Sequence, residues 1–179
     1  MYYMKIILLS GKAEGGKTTV ALMIKDILEN KGKKVLKVAY GDLVKYLCGK
    51  YFNWDGNKDT KGREILQQIG TNIIREKNPN YWVDFVIDFV DLFENEYDCT
   101  IIDDCRFVNE IERWGSSWNT TALRVNRPNH ISSLTEIQLQ HPSETSLDDY
   151  NFDFYINSED GLNNLKIEVD KFIEYMEES

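Results

Sequence analysis

The chain has 179 residues, of which 42% are hydrophobic and 28% are charged, with only 3 prolines and 11 glycines. This length is typical of one compact domain, and the composition excludes a disordered, collagen-like or low-complexity chain. Asp and Glu outnumber Lys and Arg by 30 to 21, which gives a formal charge of -9 and disfavours a surface-wide electrostatic grip on nucleic acid.

Apolar runs and cysteines indicate the cellular setting. The longest apolar run near the N-terminus covers residues 6–9, far short of the roughly 18 residues that span a bilayer. We therefore expect a cytoplasmic protein with neither a signal peptide nor a membrane partner. Cys48, Cys99 and Cys105 form no CxxC pair, which favours reduced thiols over a structural zinc site.

Short apolar runs alternate with helical patterns, an arrangement typical of a parallel sheet covered by helices. Between the first two runs, residues 18–29 place apolar side chains at helical spacing, which predicts a β-α-β unit. Residues 162–176 are predicted as a covering helix. The five predicted strands cover residues 5–9, 35–39, 100–102, 122–125 and, with a weaker pattern, 154–156.

Residues 11–18 match the phosphate-binding pattern GxxxxGK[ST] between the first strand and the first helix. Glycines permit the tight turns of such a loop, and its backbone N–H groups point at phosphate. Lys17 is expected to neutralise phosphate charge and the Thr18 hydroxyl to hold Mg²⁺. The prediction is a P-loop, three-layer α/β/α domain that binds ATP and Mg²⁺. The residues expected to bind ATP are Gly11, Lys12, Ala13, Glu14, Gly15, Gly16, Lys17, Thr18 and Thr19.

Lys12 is also compatible with a different class of protein. A lysine at this position of the loop also fits partitioning-type ATPases, whose loops commonly read GKGGxGKT. Ala13 and Glu14 depart from that pattern, and no DxxG switch follows the third strand. A partitioning or switch-type ATPase remains an alternative.

The alternation lapses over residues 41–98, far longer than one crossover helix requires, and we interpret this segment as an insertion. Arg63 and Arg75 lie within it, and guanidinium groups hold phosphate bidentately. Its helices are predicted at residues 42–50, 62–76 and 81–93. Its aromatic side chains that could stack on a base are Tyr46, Tyr51, Phe52, Trp54, Tyr81 and Trp82.

Two carboxylates, Asp103 and Asp104, follow the apolar run of the third strand, as expected of a Walker B element beside the loop. One is expected to reach the Mg²⁺ shell, while the other holds a neighbouring donor. For Asp104 the alternative is an N-cap of a helix over residues 108–114.

Further arginines stand at predicted strand ends. Arg106 follows the aspartates, and Arg124 and Arg127 flank the end of the fourth strand, whereas Arg113 is expected on the surface. Residues 128–150 are polar, contain two prolines and show no sustained period, so we predict a mobile flap there.

Together these features resemble nucleoside monophosphate kinases, most closely the deoxynucleoside monophosphate kinases of bacteriophages, over nearly the whole chain. The narrowest signals are LQxxGT at residues 66–71 and DxRFxNE at residues 104–110. The other matching stretches are residues 11–18, 40–42, 63–65, 81–82 and 125–128. The resemblance implies transfer of a phosphoryl group from ATP to a (deoxy)nucleoside monophosphate, giving the diphosphate, in the host cytoplasm if the protein is viral.

The resemblance also implies roles for particular residues within one domain of residues 1–179. Residues 41–98 would bind the monophosphate, and residues 128–150 would form a lid over ATP. The implied acceptor-binding residues are Asp42, Arg63, Gln67, Arg75, Trp82 and Arg106. The implied catalytic residues are Lys17, Asp104, Arg106 and Arg127, and the metal ligands are Thr18, Asp103 and Asp104.

The lid departs from that of adenylate kinases because it contains no arginine. It offers His130, His141, Ser143 and Glu144, so Arg127 at its root is the favoured catalytic arginine. A kinase acting on another phosphorylated small molecule, such as phosphomevalonate, is a further alternative. Monomer and homodimer are both compatible with the sequence.

Overall fold

A computed structural model describes residues 4–158 and 161–178. Its strands are β1 Lys5–Ser10, β2 Val35–Val38, β3 Cys99–Cys105, β4 Asn119–Asn126 and β5 Phe154–Asn157. They form one sheet in the order β2-β3-β1-β4-β5, and every neighbouring pair is parallel. All five predicted strands are confirmed, with ends that differ by at most a few residues.

Helices cover both faces of the sheet. They are α1 Lys17–Asn30, α2 Gly41–Tyr51, α3 Thr60–Gln67, α4 Tyr81–Asp91, α5 Asn109–Glu112, α6 Glu136–Leu139, α7 Pro142–Thr145 and α8 Leu162–Glu178. Ile7 and Leu9 of β1 share a core with α1 and α8, while Ile6 and Leu8 share a core with α4 and the α5 region. Successive strand residues face opposite ways, so a strand buried on both faces is apolar throughout. The α/β/α prediction is confirmed.

The segment between β2 and β3 has a small core of its own, formed by Val44, Cys48, Ile69 and Trp82. The single helix predicted over residues 62–76 is two elements, because α3 continues as a π-helix over Gln68–Arg75. Asp59 caps α3, with its side chain accepting from the Gly62 N–H at 2.7 Å.

The segment 128–150 contains the short helices α6 and α7, which the sequence did not predict because four residues leave no period to detect. Thr135 and Gln138 form a capping box at the start of α6. The His141 ring accepts from the Ser143 N–H at the start of α7, and Pro142 occupies its first turn.

Two further observations concern the whole described chain. Cys48, Cys99 and Cys105 are free and buried, as their spacing predicted. Within residues 4–158 and 161–178, no helix combines the length and the apolar character needed to cross a membrane.

Candidate active site

The P-loop joins the buried end of β1 to the start of α1. Gly11 has no room for a side chain, because a Cβ there would lie 2.5 Å from the carbonyl oxygen of Val125. Gly16 has φ 90°, a left-handed conformation that glycine adopts without strain, and α1 begins at the next residue. The N–H groups and the dipole at this helix end favour an anion.

Lys17 is buried beneath the loop, and its Nζ donates to the carbonyl oxygens of Gly11 and Lys12, each at 2.8 Å. Burial, followed by the charge of Arg106, lowers the pKa of Lys17 to about 7, while Glu144 opposes the shift. An anion beside this ammonium group would favour its charged form. The position therefore suits a phosphate group.

The two aspartates that end β3 both have partners in the protein. Asp103 is buried and pairs with Nζ of Lys37 at 2.9 Å. Asp104 accepts from the N–H groups of Tyr40 and Gly41, each at 2.8 Å. Burial raises the pKa of Asp104, and these two hydrogen bonds oppose that shift.

The alternative prediction, that Asp104 is the N-cap of the following helix, is wrong. Helix α5 begins at Asn109, and Val108 is its N-cap. Asp104 instead binds N–H groups at the start of α2, an element of the segment before β3. The two aspartates and Thr18 offer only oxygen ligands, which Mg²⁺ prefers. Within residues 4–158 and 161–178, this site included, no three His, Cys, Asp or Glu side chains are grouped to hold a metal.

A cavity of about 710 Å³ lies between the P-loop, the end of β3 and the segment 41–98. We call it the first cavity. The predicted site residues that line it are Ala13, Glu14, Gly15, Gly16, Lys17, Thr18, Thr19, Asp42, Arg63, Gln67, Arg75, Trp82, Asp103, Asp104 and Arg106. Of the six aromatic candidates, only Trp82 lines it, and Phe107 adds another ring that the sequence analysis missed.

A second cavity, of about 930 Å³, lies at the carboxyl end of β4. Lys12 and Arg127 line this cavity and not the first. Ala13, Gly15 and Glu144 line both. The two cavities therefore meet at the P-loop, and the structure does not bring Arg127 to the group around Lys17.

The arginines of the first cavity are held by carboxylates from three segments. Arg63 pairs with Glu14 of the P-loop at 3.0 Å, Arg75 with Glu110 at 2.5 Å, and Arg106 with Glu144 of α7. Arg75 also lies over the ring of Phe107 at 4.0 Å, and its Nε is buried without a hydrogen-bond partner. Arg113 is on the surface, as predicted, and pairs with Asp84.

Glu110 is a site residue that sequence reasoning did not single out, although it ends the DxRFxNE stretch. Its carboxylate is buried and accepts from the N–H groups of Arg106 and Phe107, at 2.5 and 3.0 Å. Burial raises the pKa of Glu110 to about 7, and its partner Arg75 opposes that shift. This one side chain therefore fixes both Arg75 and the backbone beside Arg106.

The segment 128–150 contacts the P-loop through three carboxylates. Glu14 of the loop accepts from Ser133 N–H at 3.0 Å, and hydrogen bonds from Ser133 lower the pKa of Glu14 to about 2. Lys12 pairs with Asp148 at 2.5 Å. Glu144 accepts from the N–H of Ala13 at 2.9 Å. The segment thus covers the loop, and Asp148 is a contact that the sequence analysis missed.

Comparisons with solved structures show where this fold occurs. The APS kinase of Mycobacterium tuberculosis, solved in complex with AMPPNP and APS, has 13% identity and a TM-score of 0.56, with 99% of each chain covered. Dephospho-CoA kinase from Campylobacter jejuni has 12% identity and a TM-score of 0.55, covering 96% of this chain and 97% of that one. At these identities the likeness shows the fold alone, that of P-loop kinases.

Sequence comparison adds the family. No curated protein matches the chain by sequence. The profile of the deoxynucleotide monophosphate kinase family matches residues 50–169. That match starts after the P-loop, so the loop and the profile are separate observations, and together they indicate a kinase that phosphorylates a nucleotide or another small molecule. The chain belongs to the deoxynucleotide monophosphate kinase family.

Proposed function

We propose that the chain transfers the γ-phosphoryl group of ATP to a deoxynucleoside monophosphate, giving the diphosphate. The observation that carries this proposal is the first cavity, which joins the P-loop directly to Arg63, Arg75 and Arg106. Several cationic side chains around one cavity suit a site that holds the phosphates of two substrates at once. The residues of the segment 41–98 would bind the monophosphate.

The two cavities meet at the P-loop, and this supports a separate position for each of the two substrates. ATP would place its phosphates on the loop and its nucleoside in the second cavity, beside Arg127 and Asn157. The acceptor would occupy the first cavity. Donor and acceptor would then approach the transferring phosphoryl group from opposite sides, as in-line displacement requires. Arg127 accordingly suits donor binding better than the transfer step.

The acceptor site combines charge with flat apolar surface. Arg75 and Arg106 would bind the acceptor phosphate, with Arg63 at the P-loop side, and Trp82 and Phe107 offer ring surface for the nucleoside. Gln67 and Asp42 also line the cavity and offer polar groups to it.

The P-loop residues would supply the charge for transfer. Lys17 would stabilise negative charge on the β- and γ-phosphates from its buried position. Thr18, Asp103 and Asp104 would hold Mg²⁺; since both aspartates already have protein partners, contact through water suits them. Bound Mg²⁺ would neutralise phosphate charge. The acceptor phosphate is itself anionic, so no general base and no covalent intermediate are required.

A coupled assay of ADP release over a panel of nucleoside monophosphates tests the proposal. We expect a deoxynucleoside monophosphate to stimulate ADP release strongly over ATP alone. Stimulation by phosphomevalonate instead would keep the chemistry and change the substrate. If no monophosphate stimulates release and ATP causes dimerisation, a switch-type ATPase replaces the kinase proposal.

A further inference from the structure

Glu144 of α7 places a carboxylate directly on the phosphate-binding loop. Its side chain is only 6% exposed. One carboxylate oxygen accepts from the N–H of Ala13 at 2.9 Å, and the other binds the guanidinium group of Arg106. The backbone carbonyl of Glu144 accepts from Lys12 at 2.5 Å. Backbone N–H groups of a P-loop and a nearby arginine are the partners that a phosphate oxygen would use.

The charges around this carboxylate explain why it is held there. Lys17, Arg106 and Arg124 are close enough for the two arginines to lower the pKa of Lys17, and Glu144 acts in the opposite direction. Several cations gathered in a buried site repel one another unless an anion lies between them. Glu144 is one such anion, supplied by the lid segment of the same chain, and Asp104 also acts on Lys17.

Glu144 also lies where the two cavities meet, since it lines both of them. In the proposed function this junction is the place of the transferring phosphoryl group. A carboxylate and a phosphate carry the same sign of charge, so both cannot share the Ala13 N–H and Arg106 at low cost.

We infer that Glu144 is a built-in competitor of the nucleotide, whose carboxylate takes the place of a phosphate oxygen on the P-loop. The inference rests on the proposed function for the identity of the nucleotide. Incoming ATP has to displace Glu144, and this displacement frees the Ala13 N–H for the phosphates of ATP and Arg106 for the acceptor phosphate. The chain therefore binds ATP more weakly than the loop alone would allow.

The lid segment also contacts the P-loop away from Glu144. Competition by the Glu144 carboxylate can therefore be distinguished from a general covering of the loop. Ser133 binds Glu14, and Asp148 binds Lys12, so these contacts hold the segment 128–150 to the loop by side chains. Removing the Glu144 charge should empty the anion position while leaving those contacts in place.

The test is isothermal titration of the full chain with ATP, with inorganic tripolyphosphate and with adenosine, all without an acceptor. Glu144→Gln should bind ATP and tripolyphosphate roughly tenfold more tightly, because one charge-assisted hydrogen bond no longer has to be broken. Adenosine affinity should not change. Glu144→Ala is a second variant for the case that Glu144→Gln folds poorly. It should shift both affinities in the same direction.

Two controls separate this effect from others. Glu136→Gln removes the same charge from an exposed position on α6 and should leave both affinities unchanged. Ser133→Ala removes the hydroxyl that donates to Glu14, which loosens the lid without changing the carboxylate on Ala13, and it should not reproduce the gain.

Equal or weaker tripolyphosphate affinity in folded Glu144→Gln and Glu144→Ala overturns the inference. A gain of the same size in Ser133→Ala also overturns it, since loosening of the lid would then be the cause. If the wild-type chain binds tripolyphosphate but not ATP, the proposed function fails, and the tripolyphosphate comparison still decides the role of Glu144.

Discussion

The side chains around the P-loop bring several cations together in a protein whose formal charge is -9. Each of Arg63, Arg75 and Arg106 is held by a different carboxylate, and Lys17 is held by backbone carbonyl groups. The contacts of Arg63, Arg75 and Lys17 fix these cations in position before any ligand arrives, whereas Arg106 is freed only when Glu144 is displaced. Fixed charges cost little reorganisation when a phosphate binds.

Lys17→Ala should remove most turnover while leaving the fold intact. The loss should be about 10²–10³-fold in kcat, the usual effect of deleting one group that stabilises developing charge. The Lys17 ammonium group hydrogen-bonds to loop carbonyl groups, so we expect its removal to leave the sheet and its two apolar cores in place. The kinase assay and circular dichroism check the two halves of this prediction, and near wild-type turnover in the folded variant would contradict it.

Arg75→Ala should weaken binding of the monophosphate by about 1–3 kcal/mol, the range for a hydrogen bond to a charged group. Affinity for ATP should change much less, because Arg75 lines only the first cavity. Isothermal titration with each ligand measures both. Arg113→Ala, which removes an exposed arginine paired with Asp84, is the matched control. Unchanged monophosphate affinity in folded Arg75→Ala would mean that Arg75 pairs with Glu110 but does not bind the acceptor.

Glu110 predicts a pH dependence of stability. Burial raises its pKa to about 7 from the usual 4.5, so between these values the folded chain binds a proton that the unfolded chain has lost. The contribution of Glu110 to the free energy of unfolding is therefore largest below pH 4.5. It is lost as the pH rises through the folded-state pKa of about 7. Wild type should lose about 1–3 kcal/mol more than Glu110→Gln across this window.

Urea unfolding at several pH values measures the difference between the two proteins. Glu112→Gln, an exposed change on the same helix, should keep the wild-type pH dependence. Parallel curves for wild type and Glu110→Gln would show that Glu110 titrates in the folded chain as it does in the unfolded chain.

Among the elements, the π-helix over Gln68–Arg75 determines how the segment 41–98 meets the first cavity. Gly70 lies within it, where a Cβ would come 3.0 Å from a Val44 methyl carbon, so the helix packs close to α2. Trp82 donates its indole N–H to the Gly70 carbonyl at 2.8 Å, which satisfies a buried acceptor. The last residue of the π-helix is Arg75, so this packing also positions a cavity arginine.

Trp82→Phe should lower the free energy of unfolding by about 1 kcal/mol, because a buried hydrogen bond to the Gly70 carbonyl is lost. Urea unfolding checks the loss. Trp54→Phe removes an equivalent hydrogen bond to Asn57, but in an exposed loop, and should cost less. Equal losses in the two variants would mean that the indole of Trp82 contributes by packing alone.

The strands and the longer helices could be predicted because their burial leaves a repeating pattern in the chain. The run of residues 6–9 is apolar throughout since β1 is covered on both faces. The π-helix could not be predicted, because its wider turns change the hydrogen bonds without changing the residue types of a helix. Helices α6 and α7 are too short for a period, and their caps at Thr135 and His141 were the only available signals.

At the scale of the whole molecule, the sheet order brings together segments that are far apart in the chain. β1 pairs with β3 on one side and β4 on the other, which places the P-loop between the aspartates and the start of the segment 128–150. The motifs predicted that phosphate would bind here. They could not predict that Glu110 and Glu144 hold Arg75 and Arg106, since those pairs depend on how separate segments pack.

The proposed reaction moves a phosphoryl group from ATP to a monophosphate across the P-loop. The most direct test follows the label from γ-³²P-ATP, with chromatographic separation of the products, in the presence of each deoxynucleoside monophosphate. We expect label to appear in a deoxynucleoside diphosphate, and Lys17→Ala to form this product about 10²–10³-fold more slowly. Label recovered only as inorganic phosphate, with or without a monophosphate, would contradict it.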